Sequence, residues 1–176
     1  MKNNNKNIII KGKNNSLIIA AGSTIKNIDI VICGNNNKLI LGKGVYADTT
    51  FSMISHNSHI TVGDGCTIFK SFISAYDGKD ITIGKDCLFA DPTDIRTSDY
   101  HPIFDSNNKH INPSKSIVIG DRVWLARQVN ILKGSHIESD VVIGVGSVVS
   151  GHIPANSVAV GVPAHVIRSE TTWRLT

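Results

Sequence analysis

The chain is predicted to be all-β, a parallel β-helix wound from hexapeptide repeats, and three observations predict it. The first is the stretch Ile119–Pro154. Read in sixes, its leading positions are Ile119, Leu125, Ile131, Ile137, Ile143 and Val149, all branched aliphatics. A period of six fits neither the 3.6 of a helix nor the plain alternation of a flat sheet. It fits a coil in which each hexad makes one short strand and one corner, three hexads to the turn. The second is a longer recurrence: KLILG at Lys38–Gly42, HITVG at His59–Gly63 and DITIG at Asp80–Gly84 follow one another at 21 residues. The third is composition. Aromatics make up only 6%, while Ile, Val and Gly are plentiful, which suits thin, evenly spaced strands.

In chain order, residues 1–16 are rich in Asn and Lys and read either as a frayed terminal rung or as a cap over an open core. SLIIA at Ser16–Ala20 begins the repeat, 22 residues before KLILG. The hexad register then runs through Leu41, Ala47 and Met53, through Val62, Ile68 and Ser74, and through Ile83, Phe89 and Ile95. Each trio makes one coil with about three extra residues at one corner. Those extras are turn formers: Asn35-Asn36-Asn37, His56-Asn57-Ser58 and Asp77-Gly78-Lys79. After the hexad ending at Tyr100 the pattern fails until Ile117. Residues 101–116 are therefore expected to leave the solenoid as a loop, the place where a rigid scaffold usually carries function. Residues 164–176 are expected to cap the far end, with a short helix from Pro163 over Ala164–Arg174 as one reading. The whole is expected to be one domain, 1–176.

Charge and cysteines bound the function. A net charge of +4 and a pI near 9.0 favour anionic ligands, but no Lys/Arg run marks a nucleic-acid arm. The start, MKNNNKNIII, lacks the apolar region of a signal peptide, and no stretch approaches the ~20 apolar residues that span a bilayer. A cytoplasmic location without a membrane span is the expectation. Three widely spaced cysteines point to thiols and no disulfide framework. Cys66 and Cys87 occupy fifth hexad positions, which want small buried residues, and Cys33 has no base at a suggestive spacing.

His101 is the leading candidate for chemistry. It stands where the register stops, between Asp99 and Asp105. An imidazole titrates near neutrality, so it can take a proton from an alcohol and return it, and a nearby carboxylate can hold its tautomer. The competing reading is a surface histidine without a role. His56 and His59 form an H-x-x-H pair with no third ligand nearby, so no metal site is expected. Trp124 occupies a sixth, outward hexad position, facing a neighbouring subunit, a ligand or plain solvent. Gly144, Gly146, Gly151 and Gly161 either turn corners or let the backbone approach a ligand.

The segments IGDRVWLARQVNILKG, IGVGSVV and IPANSVAVGVPAHVIR closely resemble the C-terminal signature of the hexapeptide-repeat acyltransferases. TSDYHPIFD ahead of VWLA is most similar to the sugar and capsular polysaccharide O-acetyltransferase branch. The resemblance is close over about residues 80–168 and rests on the repeat alone before that. It implies a left-handed coil, where the general rule for parallel crossovers would give the opposite hand. It also implies a homotrimer with acetyl-CoA in a groove between adjacent solenoids, and a sugar or polysaccharide acceptor. On this resemblance His101 matches the catalytic base, with Asp99 beside it and Trp124 an aromatic lining the same site. Ala126 and Val145 match positions whose backbone contacts the pantetheine arm, and Gly144 is counted with them as cofactor-binding. Ser150, His165 and Arg168 match the region near the nucleotide phosphates. This chain has Gly151-His152 where many relatives carry a Lys after the serine. The implied reaction is direct transfer of an acetyl group to a sugar hydroxyl. The alternatives are N-acetylation of a nucleotide-linked amino sugar, a metal-dependent β-helix hydratase, and a non-catalytic β-helix.

Overall fold

The computed structural model describes residues 6–174, and every regular element among them is a strand. The strands stack into a three-faced solenoid. The first face is a parallel sheet of seven: Ser16–Ile19, Lys38–Leu41, His59–Val62, Ile81–Ile83, Ile117–Ile119, His136–Ile137 and His152–Ile153. The second face starts at Thr24–Ile25 and includes Leu88–Phe89, Trp124–Leu125, Val142–Ile143 and Ser157–Gly161. The third includes Lys6–Lys11, Ile28–Cys33, Thr93–Arg96, Val129–Ile131 and Val148–Val149. Tyr46–Ile54 and Thr67–Ser74 run through the corner between these two faces and join them into one sheet.

The hexad positions do what their period requires. Ile119, Leu125, Ile131, Ile137, Ile143 and Val149 all point inward and are buried, and each stacks on its counterpart one coil away. Burying such a side chain stabilises the fold by roughly 1.5–3 kcal/mol, and the stack repeats that gain along one continuous core. Cys66 and Cys87 lie within the same core. Cys33 is half-buried at the end of its strand.

The register differs from expectation on the third face. The residue paired with Ile95 is Ile73, and Ile73 pairs with Phe51, one and two places before the expected Ser74 and Met53. The corner between the second and third faces is tighter in these early coils. The strand runs on through it with only a local irregularity, a register shift between Asp48 and Thr50 and a positive φ at Lys70. The surplus residues collect instead at the corner between the third and first faces. There Asn36, Asn57 and Asp77 each adopt φ of 59°, a left-handed conformation that Asn and Asp tolerate best after glycine. Asn14 Nδ2 donates to Asn36 Oδ1 at 3.2 Å and Asn36 Nδ2 to Asn57 Oδ1 at 2.9 Å, a ladder along that edge.

Both ends are now clear. Of residues 1–16, the first five lie outside the described residues. Lys6–Lys11 is the first rung among the described residues, paired with Ile28–Cys33, and Ile8 and Ile10 on it are about half exposed. The short C-terminal helix is not formed. Ala164–Ser169 is a strand, antiparallel to Ser157–Gly161. Gly161, with φ of 107°, reverses the chain, and the pairing closes the last open edge of the second face. Tertiary pairing decides here against a helix start at Pro163. Residues 170–174 then fold back along the coil.

Candidate active site

The predicted loop leaves at the corner between the third and first faces. Its neck is closed by Thr97 N–H donating to Ser74 O at 3.2 Å and Lys115 N–H to Thr97 O at 3.0 Å. Beyond the neck the two limbs pair, Ile111 N–H donating to Ile103 O at 2.9 Å, and Phe104 bridges His110. Asp105 turns the tip by accepting from the amides of Asn107 and Lys109, both at 2.9 Å. His101 stands on the first limb. Its imidazole is exposed and makes no hydrogen bond among the described residues. It borders a hollow of about 170 Å³ shared with Tyr76, Ser98, Tyr100 and Asn112.

Asp99 does not touch the His101 ring. Its carboxylate accepts from Asn112 Nδ2 at 2.8 Å and is paired with the Lys133 ammonium. The Lys133 hydrogen bond first, and that from Asn112 second, holds the Asp99 carboxyl below the usual carboxylate range. What Asp99 shares with His101 is backbone: His101 N–H donates to Asp99 O at 2.8 Å. Ser150 lies on this same corner. It follows Val149, which sits above Ile131, which sits above Ile95.

The remaining predicted residues gather elsewhere, on the second face. Trp124, Val142, Val158 and Arg168 form one row across four adjacent strands. His165 pairs with Val160 beside them. Ala126 and Gly144 follow one strand end further along, and Ala126 N–H donates to Ile143 O at 2.9 Å. A Cβ on Gly144 would come within 2.5 Å of Val160 Cγ1, so packing requires glycine there. Val145 is 68% exposed at the following corner. In a three-faced coil, the corner that carries the loop is opposite the second face. One chain therefore separates His101, Asp99 and Ser150 from Trp124, Ala126, Gly144, Val145, His165 and Arg168.

Three residues of this region were not picked out from sequence. Lys133 and Asn112 hold the base of the loop. Trp173 packs on Trp124 with ring centroids 5.9 Å apart and donates Nε1–H to Arg122 O at 2.6 Å. No isolated exposed ring is present at Trp124. The only sequence signal for Lys133 was a lysine two places past the core hexad start at Ile131, and its 34-residue separation from Asp99 hides the pairing. His59 is paired with Asp80 at 3.0 Å, and His152 with Glu138 at 2.8 Å.

No protein-family model matches the chain. Among curated proteins it is 35% identical over 120 residues to the polysialic acid O-acetyltransferase of Escherichia coli O1:K1, covering 68% of this chain and 39% of that one. It is 34% identical over 129 residues to the polysialic acid O-acetyltransferase of Neisseria meningitidis, covering 73% and 50%. Among solved structures, that of the polysialic-acid-specific acetyltransferase NeuO superposes with a TM-score of 0.68 at 29% identity, covering 96% of this chain and 88% of that one. These relatives are acetyltransferases of the hexapeptide-repeat family, the family that the sequence resembles. This chain's coil is the left-handed parallel β-helix of those acetyltransferases. The chain spans about two fifths to one half of the length of these two curated relatives. No helix among the described residues is long and apolar enough to cross a membrane.

Proposed function

We propose that this protein is an acetyl-CoA-dependent O-acetyltransferase that moves an acetyl group onto a sugar hydroxyl of a capsular or other cell-surface polysaccharide or its precursor. The names of its relatives, polysialic acid O-acetyltransferases, support the reaction class. The observation that carries the reading is the separation just described. An exposed imidazole with no side-chain hydrogen bond among the described residues stands on one side of the coil. A row with an aromatic ring and two basic side chains stands on the other. Two copies side by side bring the His101 corner of one against the second face of the next, and a closed ring of three does so three times. A homotrimer is the assembly this geometry favours.

The residues fit the donor. Val142, Val145 and Val158 offer an apolar strip for the pantetheine arm, and His165 and Arg168 offer donors where the phosphates would lie. Acetyl-CoA supplies the activated acyl group when bound. His101 takes the proton from the acceptor hydroxyl as its oxygen attacks the thioester carbonyl, with the pair held in one ternary complex. Backbone N–H groups stabilise the developing oxyanion, at roughly 3–4 kcal/mol per donor in other acyl-transfer sites. As the C–S bond breaks, His101 returns its proton to the departing sulfur. The net change is one ester formed and one free thiol released.

The test is thiol release from acetyl-CoA by purified protein, with sialylated oligosaccharides, neutral sugars and nucleotide-linked amino sugars as acceptors. Release is expected with a hydroxyl acceptor and absent with His101→Ala, while acetyl-CoA affinity stays near normal. Near-normal turnover by His101→Ala overturns the assignment. Preference for the amino sugars replaces O-transfer with N-transfer.

A further inference from the structure

Two side chains with no assigned part in the reaction fasten the loop that carries His101: Asn112 ties its two limbs together, and Lys133 ties it to the solenoid. From their bonds we infer that Asn112 and Lys133 are positioning residues, which hold His101 at the height and angle its proton transfer needs. The inference rests on His101 being the base.

Asn112 lies on the returning limb of the loop and every polar atom of its amide is engaged. Its Nδ2 donates to the His101 carbonyl at 2.9 Å and to the Asp99 carboxylate at 2.8 Å. Its Oδ1 accepts from Ile103 N–H at 2.5 Å and from His110 Nε2–H at 3.0 Å. A backbone N–H can only donate and a carboxylate or carbonyl can only accept here, so the amide has one orientation. The residues before and after Pro102, His101 and Ile103, are thus both bonded through their backbone to one side chain.

Lys133 comes from the coil beyond the loop, just past the strand Val129–Ile131. Its side chain is only 16% exposed, unusual for lysine. The ammonium is paired with Asp99 and donates to Asn112 O at 2.7 Å. A rigid coil therefore grips both limbs at once, through Asp99 on the outgoing side and Asn112 on the returning side. Asp99 belongs to this clamp and not to the imidazole. A loop tethered only at its neck would let His101 swing, and displacement of a reacting group by about 1 Å costs on the order of 100-fold in rate.

The experiment compares Asn112→Ala, Lys133→Met, His101→Ala and the double variant His101→Ala/Asn112→Ala. Assays use the acceptor found active above, with added imidazole to supply the lost base in the two variants lacking His101. Asn112→Ala and Lys133→Met should each lower kcat roughly 10- to 100-fold. The Michaelis constant for acetyl-CoA should stay within about twofold, and the solenoid's melting temperature should be unchanged. A residue that acts through His101 has nothing left to position once that ring is gone. The double variant should therefore be no slower than His101→Ala. Wild-type kcat in both single variants overturns the inference, and so does a further slowing in the double variant. Should Asn112→Ala fail to fold, Lys133→Met still decides, because the Asp99 carboxylate it leaves behind reaches water. Turnover by His101→Ala without imidazole takes down the base assignment and this inference together. An inactive His101→Ala beside fast Asn112→Ala and Lys133→Met takes down the clamp alone.

Discussion

Trp124 illustrates how a side chain's surroundings set its use. A hexad's sixth position points outward, and there an indole would meet water on both faces. Instead Trp173 from the chain's own tail covers one side, leaving Trp124 37% exposed. The open side is the one available to a ligand or a neighbouring chain. Trp124→Ala should raise the apparent Michaelis constant for acceptor or acetyl-CoA roughly five- to tenfold, about 1–1.4 kcal/mol of lost ring contact, with kcat little changed. Trp173→Ala is the control, since it strips the intrachain partner and leaves Trp124 in place. Steady-state kinetics of the pair check this: equal effects from both would assign the Trp124 ring to packing the tail.

That tail is an element with its own fastening. Thr171 N–H donates to Asn156 O at 3.0 Å, Thr172 Oγ1–H to Asp140 Oδ1 at 3.2 Å and Trp173 to Arg122 O. Asp140 also holds Arg122 by two bonds of 2.7 and 2.6 Å. The Arg122 hydrogen bond, chiefly, lowers the Asp140 carboxyl below its ordinary range, against a smaller opposing effect of burial. A depressed folded value means the stabilisation is complete above the unfolded carboxylate value, about 3.9, and is lost as pH falls through the folded value. The tail should stay docked from neutral pH down to about pH 4 and loosen below it. Tryptophan emission followed against pH checks this, and Asp140→Asn should show the loosened signal already at pH 7. An emission profile identical in wild type and Asp140→Asn would mean that the ion pair does not hold the tail.

At the scale of the whole molecule, the proposed site is divided between chains, and that division is testable by mixing. His101→Ala and Trp124→Ala damage opposite sides of the coil. Refolded together in equal amounts, they should form trimers in which about one interface in four pairs an intact His101 with an intact Trp124. Assayed below the Michaelis constant, the mixture should exceed the average of the two separate variants. Activity equal to that average would show that one chain supplies both groups.

The coil itself was legible in the sequence because each hexad repeats one local problem. A branched aliphatic must point inward every six residues, and turn formers such as Asn36, Asn57 and Asp77 stand where the backbone takes φ above zero. The loop was legible for the converse reason, since His101, Asn107 and Pro113 would have fallen in core positions. Less was legible wherever the answer depended on pairing across the chain. The slip on the third face follows from how tightly a corner closes. The strand at Ala164–Ser169 follows from an open sheet edge, which offers bonds that a short helix there would not. The binding of Asp99 by Lys133 and Asn112, and the placement of His101 and Trp124 on opposite sides, follow from stacking residues far apart in sequence. The sequence by itself determined the period, the inward column and the point where the chain departs from it. Only the tertiary structure decided which side chains face one another, because a solenoid sets neighbours by coil height and face, and distance along the chain carries almost none of that information.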